Sequence, residues 1–190
     1  LAPGGTEAEL DMANSVTVTM NLNGNVVVNP TSNSCGFQDA MRGAVNIAGN
    51  LTIASGGRWC GRGTSDTAGN LTFTGNSKTI TDNNTTKQDL GRINIGGAST
   101  LLGSSVKATW VTINSAKTLN LNGANTLTLT GTSTPLTVNG VFDPSTGTVA
   151  FTGDGATTVA GTSYYHLNIQ PSANSVIHTL GSGTVAVTGN

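Results

Sequence analysis

Along most of this chain apolar residues take every second position for four or five residues, and then Gly or Asn interrupts. Val45-Asn46-Ile47 leads through Ala48-Gly49-Asn50 into Leu51-Thr52-Ile53, and Leu71-Thr72-Phe73-Thr74 leads into Gly75-Asn76. A period of two places successive side chains on opposite faces of a pleated strand, so one face of each stretch is apolar and the other rich in Thr and Asn. On this reading strands are expected at 16–22, 25–29, 45–47, 51–54, 71–74, 92–95 and 108–114. Further strands are expected at 118–121, 126–130, 136–138, 148–152, 165–169, 176–180 and 184–188. Twenty-six glycines and dense β-branching leave little room for helix, and only residues 5–14 suit a turn or two of one. The expected class is all-β.

Between the strands stand Asn23-Gly24, Gly49-Asn50, Gly56-Gly57, Gly96-Gly97, Asn122-Gly123, Asn139-Gly140 and Gly153-Asp154-Gly155. Gly and Asn accept positive φ at small cost, so these are turns. The clearest strands begin at Leu71, Arg92, Val111, Thr126, Thr148, Tyr165 and Thr184, in steps of 15 to 22 residues. Such an echo fits the coil of a β-solenoid, whose short strands stack in parallel on those of the next coil. An antiparallel pilin- or immunoglobulin-like sandwich is the alternative, because Asn-Gly at Asn23, Asn122 and Asn139 also suits hairpins.

Residues 1–43 keep the echo poorly, and Arg58-Trp59-Cys60-Gly61-Arg62 forms a second polar and aromatic knot. An N-terminal cap or arm is therefore expected over 1–65, with a repetitive β body over 66–190. An even pair of cysteines in a secreted chain favours a Cys35–Cys60 disulfide pinning that cap. In a competing arrangement residues 14–29 reach out as an arm and pair with a neighbouring subunit.

Thr, Ser, Asn and Gly together make up half of the residues, a composition that also occurs in disordered chains. The regular apolar alternation decides for strand. Charged residues are 9%, against roughly 25% in an ordinary soluble domain, and the net charge is −1. With no basic stripe to neutralise phosphates, nucleic acid is not an expected partner. No apolar run approaches the ~18 residues of a membrane-spanning helix. The chain opens at Leu1 rather than Met, as a mature secreted chain or an excised fragment would.

Candidate chemistry is sparse. His166 and His178 stand twelve positions apart in strand-like alternation, without metal-ligand spacing. Beyond Glu7, Glu9 and Asp11 the acids are isolated along the chain: Asp39, Asp66, Asp82, Asp89, Asp143 and Asp154. An acid/base pair or a calcium cluster would have to be built by the fold. No catalytic residue, metal ligand or cofactor is expected, and an enzyme is not the favoured reading. Asn83 and Asn84 open two overlapping Asn-x-Thr sequons in a polar stretch and are candidate glycosylation sites. Thr-x-Thr at Thr17, Thr72, Thr79 and Thr126 reads as strand propensity and solvated ladders, the spacing being too uneven for an ice-matching lattice. A groove lined by Trp59, Trp110, Tyr164 and Tyr165 would make the chain a carbohydrate-binding or carbohydrate-cleaving solenoid, with surface carbohydrate as partner.

The phrase carried by residues 45–54, 70–76, 126–131, 148–153 and 184–190 resembles the Thr/Asn/Gly-rich repeats of filamentous-haemagglutinin-like adhesins and related bacterial surface β-solenoid proteins. The resemblance implies an extracellular, non-enzymatic role in adhesion, surface coating or fibre building. Val185, Val187, Gly189 and Asn190 carry the same phrase and break off within it, so these residues are the expected edge for self-association.

Overall fold

The computed structural model describes residues 19–29, 37–39, 44–61, 70–171 and 176–189. Their short strands wind into a β-solenoid. β1 (Thr19–Leu22), β2 (Val26–Val28) and β3 (Phe37–Asp39) make the first coil; β4 (Ala44–Ile47), β5 (Leu51–Ile53) and β6 (Trp59–Gly61) make the next. β7 (Asn70–Phe73) and β8 (Lys78–Asp82) follow, then β9 (Arg92–Ile95), β10 (Ser99–Leu102) and β11 (Val106–Ala108). Above them lie β12 (Trp110–Ile113), β13 (Thr118–Asn120) and β14 (Thr126–Leu129), then β15 (Leu136–Val138), β16 (Val141–Asp143) and β17 (Thr148–Phe151). β18 (Thr157–Val159), β19 (Ser163–Tyr164) and β20 (His166–Ile169) precede the last described coil, of β21 (His178–Leu180) and β22 (Ala186–Val187).

Every pairing among these strands is parallel. One sheet runs β1-β4-β7-β9-β12-β15, a second β2-β5-β8-β10-β13-β16, and a third face carries β11-β14-β17-β20. The alternation seen in the sequence becomes continuous apolar rows. Val45, Leu71, Ile93, Val111 and Leu136 stack in register on the first sheet, with Ile47, Phe73, Ile95 and Ile113 beside them, all buried. Leu127 on Val149 and Leu129 on Phe151 do the same on the third face. Each side chain thus packs chiefly on the one above and the one below, and the core is a narrow column.

The repeated Gly-Asn phrase is a corner. A Cβ on Gly49 would fall on the carbonyl of Gly24, one on Gly75 on that of Ala48, and one on Gly97 on that of Gly75. Only glycine lets the backbone of one coil lie this close to the next. The asparagine beside it supplies the missing acceptor: Asn50 N donates to Asn25 Oδ1 at 2.9 Å, Thr79 N to Asn50 Oδ1 at 3.0 Å and Ala98 N to Asn76 Oδ1 at 2.8 Å. Glycine removes the steric obstacle at the corner, and asparagine satisfies an N–H that a strand partner does not reach.

Parallel pairing excludes the antiparallel sandwich. The Asn-Gly pairs turn the chain, but they turn it around a corner rather than back on itself. Asn122 and Gly123 take φ of 54° and 85°, as a hairpin turn requires. Yet Gly123 N donates to Ser145 Oγ on the neighbouring coil at 3.0 Å, and Asn122 Nδ2 donates to Leu102 O at 3.2 Å. Over its described part the segment 14–29 is not an extended arm, because β1 and β2 pair with β4 and β5 of the same chain. No disulfide is found among the described residues. Cys35 lies outside them, and the backbone of Cys60 stands opposite Gln38. The boundary expected at residue 65 lies outside the described residues; on either side of it β4 and β7 pair in register. Residues 5–14 also lie outside the described residues.

Candidate functional site

The outer faces are ranks of uncharged polar side chains. Asn21, Asn46, Thr72, Asn94, Thr112 and Thr137 form one row across the first sheet, successive members about 4.8 Å apart. Asn46 Nδ2 donates to Asn21 Oδ1 at 2.8 Å, so the amides bond along the row. Beside it the Arg92 guanidinium lies 4.9 Å from the centre of the Trp110 ring, whose Nε1 donates to Thr132 O at 3.2 Å.

The isolated carboxylates organise a loop, at Asp82, or join neighbouring coils, at Asp89 and Asp143. Asp82 continues the inward row from Ile53 and is 1% exposed, a position that ordinarily takes an aliphatic residue. Its Oδ1 accepts from Asn84 N and Asn84 Nδ2, each at 2.9 Å, and its Oδ2 accepts from Gln88 N at 2.6 Å. The loop thus wraps around the carboxylate, and Lys87 Nζ closes it by donating to Asp82 O and Asn84 O at 2.7 Å each. Asp89 spans more of the stack. Its Oδ1 accepts from Gly91 N at 2.9 Å and Thr109 Oγ1 at 3.1 Å, and its Oδ2 accepts from Thr130 Oγ1 at 2.8 Å. Asp143 accepts from Ser145 N and from Asn120 Nδ2.

Among the described residues no three His, Cys, Asp or Glu side chains gather in a way that could hold a metal ion. His166 and His178 lie on different strands, β20 and β21, and the Tyr165 ring stands edge-on to His166 at 4.6 Å. The four aromatic residues expected to line a groove are scattered. Trp59 and Tyr164 are core residues, Trp110 lies on the first sheet, and Tyr165 stands beside His166. Burial raises the Tyr164 phenol above its ordinary pKa, and its hydroxyl donates to Ala160 O at 2.9 Å. Of the two overlapping sequons, Asn83 is exposed, while the Asn84 amide nitrogen already donates to Asp82 and, at 2.9 Å, to Gly57 O.

The remaining feature is the edge formed by the last coils. β20, β21 and β22 each pair on one side only, with β17, β18 and β19. Exposure changes abruptly along the inward rows that reach this edge. Ile169 is 40%, Leu180 67% and Val187 50% exposed, while Phe151, Val159 and Tyr164, their partners one coil below, are each at 0%. Ile177 adds a fourth apolar side chain at 68%. Val185 is partly buried against the core, and Gly189 N donates to Tyr165 O at 2.7 Å; Asn190 lies outside the described residues. Val187, one of the residues expected at an assembly edge, is exposed here; Ile169 and Leu180 lie in expected strands but carried no such expectation. Comparison with protein families, with curated proteins and with solved structures finds no match for this chain.

Proposed function

We propose that this chain is a secreted, non-enzymatic structural protein that self-associates into an extracellular fibre or surface layer, its polar outer faces serving adhesion. The observation that carries the reading is the uncharged outer face, on which Asn21, Asn46, Thr72, Asn94, Thr112 and Thr137 line up in one row. The outer ranks of Asn and Thr, with few charges to repel a neighbour, suit a molecule packed among copies of itself.

Negative-stain electron microscopy of the native material tests this reading. Filaments or sheets with a width set by one solenoid are expected. A uniform field of isolated particles at every concentration tried would remove the basis for a structural role.

A further inference from the structure

We infer that the corner at Asn139-Gly140 is a site of spontaneous self-modification, where the chain converts an asparagine into aspartate and isoaspartate as it ages. The chemistry needs only these two residues and water. The Gly140 amide nitrogen gives its proton to water and bonds to Cγ of Asn139; the Cγ–Nδ2 bond breaks, ammonia leaves and a succinimide ring closes. Water then opens the ring at either carbonyl, leaving aspartate or isoaspartate at 139. Glycine in second place hinders the attack least, because it carries no Cβ beside the nitrogen. A fold can grant or withhold two requirements: a carboxamide able to turn towards the main chain, and an N–H not already held by an acceptor.

Asn139-Gly140 meets both. The corner joins β15 to β16, and Asn139 is exposed there. On either side the main chain is held to the coil beneath, Asn139 N donating to Ile113 O at 2.9 Å and Val141 N to Lys117 O at 2.8 Å. Between these bonds, neither the Asn139 carboxamide nor Gly140 N has a hydrogen-bond partner among the described residues. Glycine is required at 140, since a Cβ would fall on the carbonyls of Lys117 and Asn114. The residue that makes the pair reactive is thus the one the stack cannot replace.

Asn122-Gly123 is the same dipeptide, and Asn122 is exposed as well, but there both requirements are withheld. Gly123 N donates to Ser145 Oγ at 3.0 Å, and Asn122 Nδ2 donates to Leu102 O at 3.2 Å. Attack at Asn122 must first open these two bonds, which at the ordinary net strength of a hydrogen bond slows it by about thirtyfold. The third pair, Asn23-Gly24, adjoins residues outside the described ones. Conversion at 139 acts on the stack. Either product replaces a neutral carboxamide with a carboxylate, and isoaspartate also adds a carbon to the main chain between Val138 and Val141. Those two stand in register with Ile113 and Thr118 of the coil below, so the longer path strains the ladder at that corner.

The test is peptide mapping by mass spectrometry of the chain aged at mildly alkaline pH, once folded and once unfolded in urea, with enzymatic methylation to identify isoaspartate. The rate at Asn139 divided by that at Asn122 is read in both conditions, and urea removes whatever difference the flanking sequence makes. The folded ratio should exceed the urea ratio by about thirtyfold. An excess below about tenfold, or conversion of Asn122 before Asn139 in the folded chain, overturns the inference. Ser145→Ala removes the acceptor of Gly123 N and should quicken conversion of Asn122 in the folded chain by about fivefold. An unchanged rate at Asn122 in that variant would overturn the protection by hydrogen bonding on which the contrast depends.

Discussion

Asp82 offers the sharpest energetic test, because a carboxylate stands where the inward row calls for an aliphatic side chain. It holds three N–H donors, at 2.6 to 2.9 Å, from Asn84 and Gln88. Asp82→Ala leaves all three without their acceptor and also opens space beside Ile53. A buried polar group that loses its partner costs about 1–3 kcal/mol. Asn84 and Gln88 are themselves half-buried, so water recovers part of that loss and the low end applies to each donor. The expected destabilisation is about 3 kcal/mol, from three donors at about 1 kcal/mol each. Asp82→Asn keeps the volume and one oxygen but turns an amide N–H₂ towards one set of donors, so it should fall between Asp82→Ala and the unsubstituted chain. Urea unfolding of the three proteins measures the ranking, and amide hydrogen exchange at Asn84 and Gln88 shows whether the loop loosens first. An Asp82→Ala protein as stable as the original, with unchanged exchange at those amides, would refute the claim that the carboxylate organises the loop.

Gly97→Ala should cost at least about 3 kcal/mol, the upper end of overpacking, because its Cβ meets the backbone of Gly75 rather than a side chain that can move; thermal unfolding measures it. Thr100 is fully buried with no partner for its hydroxyl among the described residues, so Thr100→Val should stabilise by about 1 kcal/mol, read as a raised Tm. Phe73→Ala removes a sealed side chain between Ile47 and Ile95 and should cost about 3–5 kcal/mol in denaturant unfolding.

Much of this architecture was legible because alternation survives folding unchanged. Positions that alternate in 45–47, 71–73, 92–95 and 126–129 alternate between sealed and half-open in the solenoid. The coil period was harder to read. Partners on adjacent coils lie between 18 residues apart, Ile93 and Val111, and 29 apart, Leu51 and Ile80. Loops at the corners absorb the difference and the strands remain in register, so uneven spacing in sequence does not make an uneven ladder. The step of 15 from Val111 to Thr126 was no coil at all, since the two lie on different faces. Thr126 pairs instead with Thr148.

The side-chain network was partly hidden for a similar reason. Asp82 follows Ile80 by two positions, and that parity alone marks it as inward-facing. Asp89, by contrast, meets Thr109 and Thr130 only because successive coils bring them into range, and no local pattern shows this. The Asn-Gly pairs misled because positive φ specifies a turn and says nothing of whether the next strand returns or moves to another face. Stacking decides that, through the glycine corners and the asparagine acceptors beside them.

The central claim is that the chain is a parallel β-solenoid that assembles with copies of itself into a fibre. X-ray diffraction from an aligned sample of the assembled protein tests it most directly. If the solenoids lie along the fibre, the reflection near 4.8 Å from adjacent strands falls on the meridian. The same reflection spread evenly in all directions by a well-aligned sample, or absent, would contradict it.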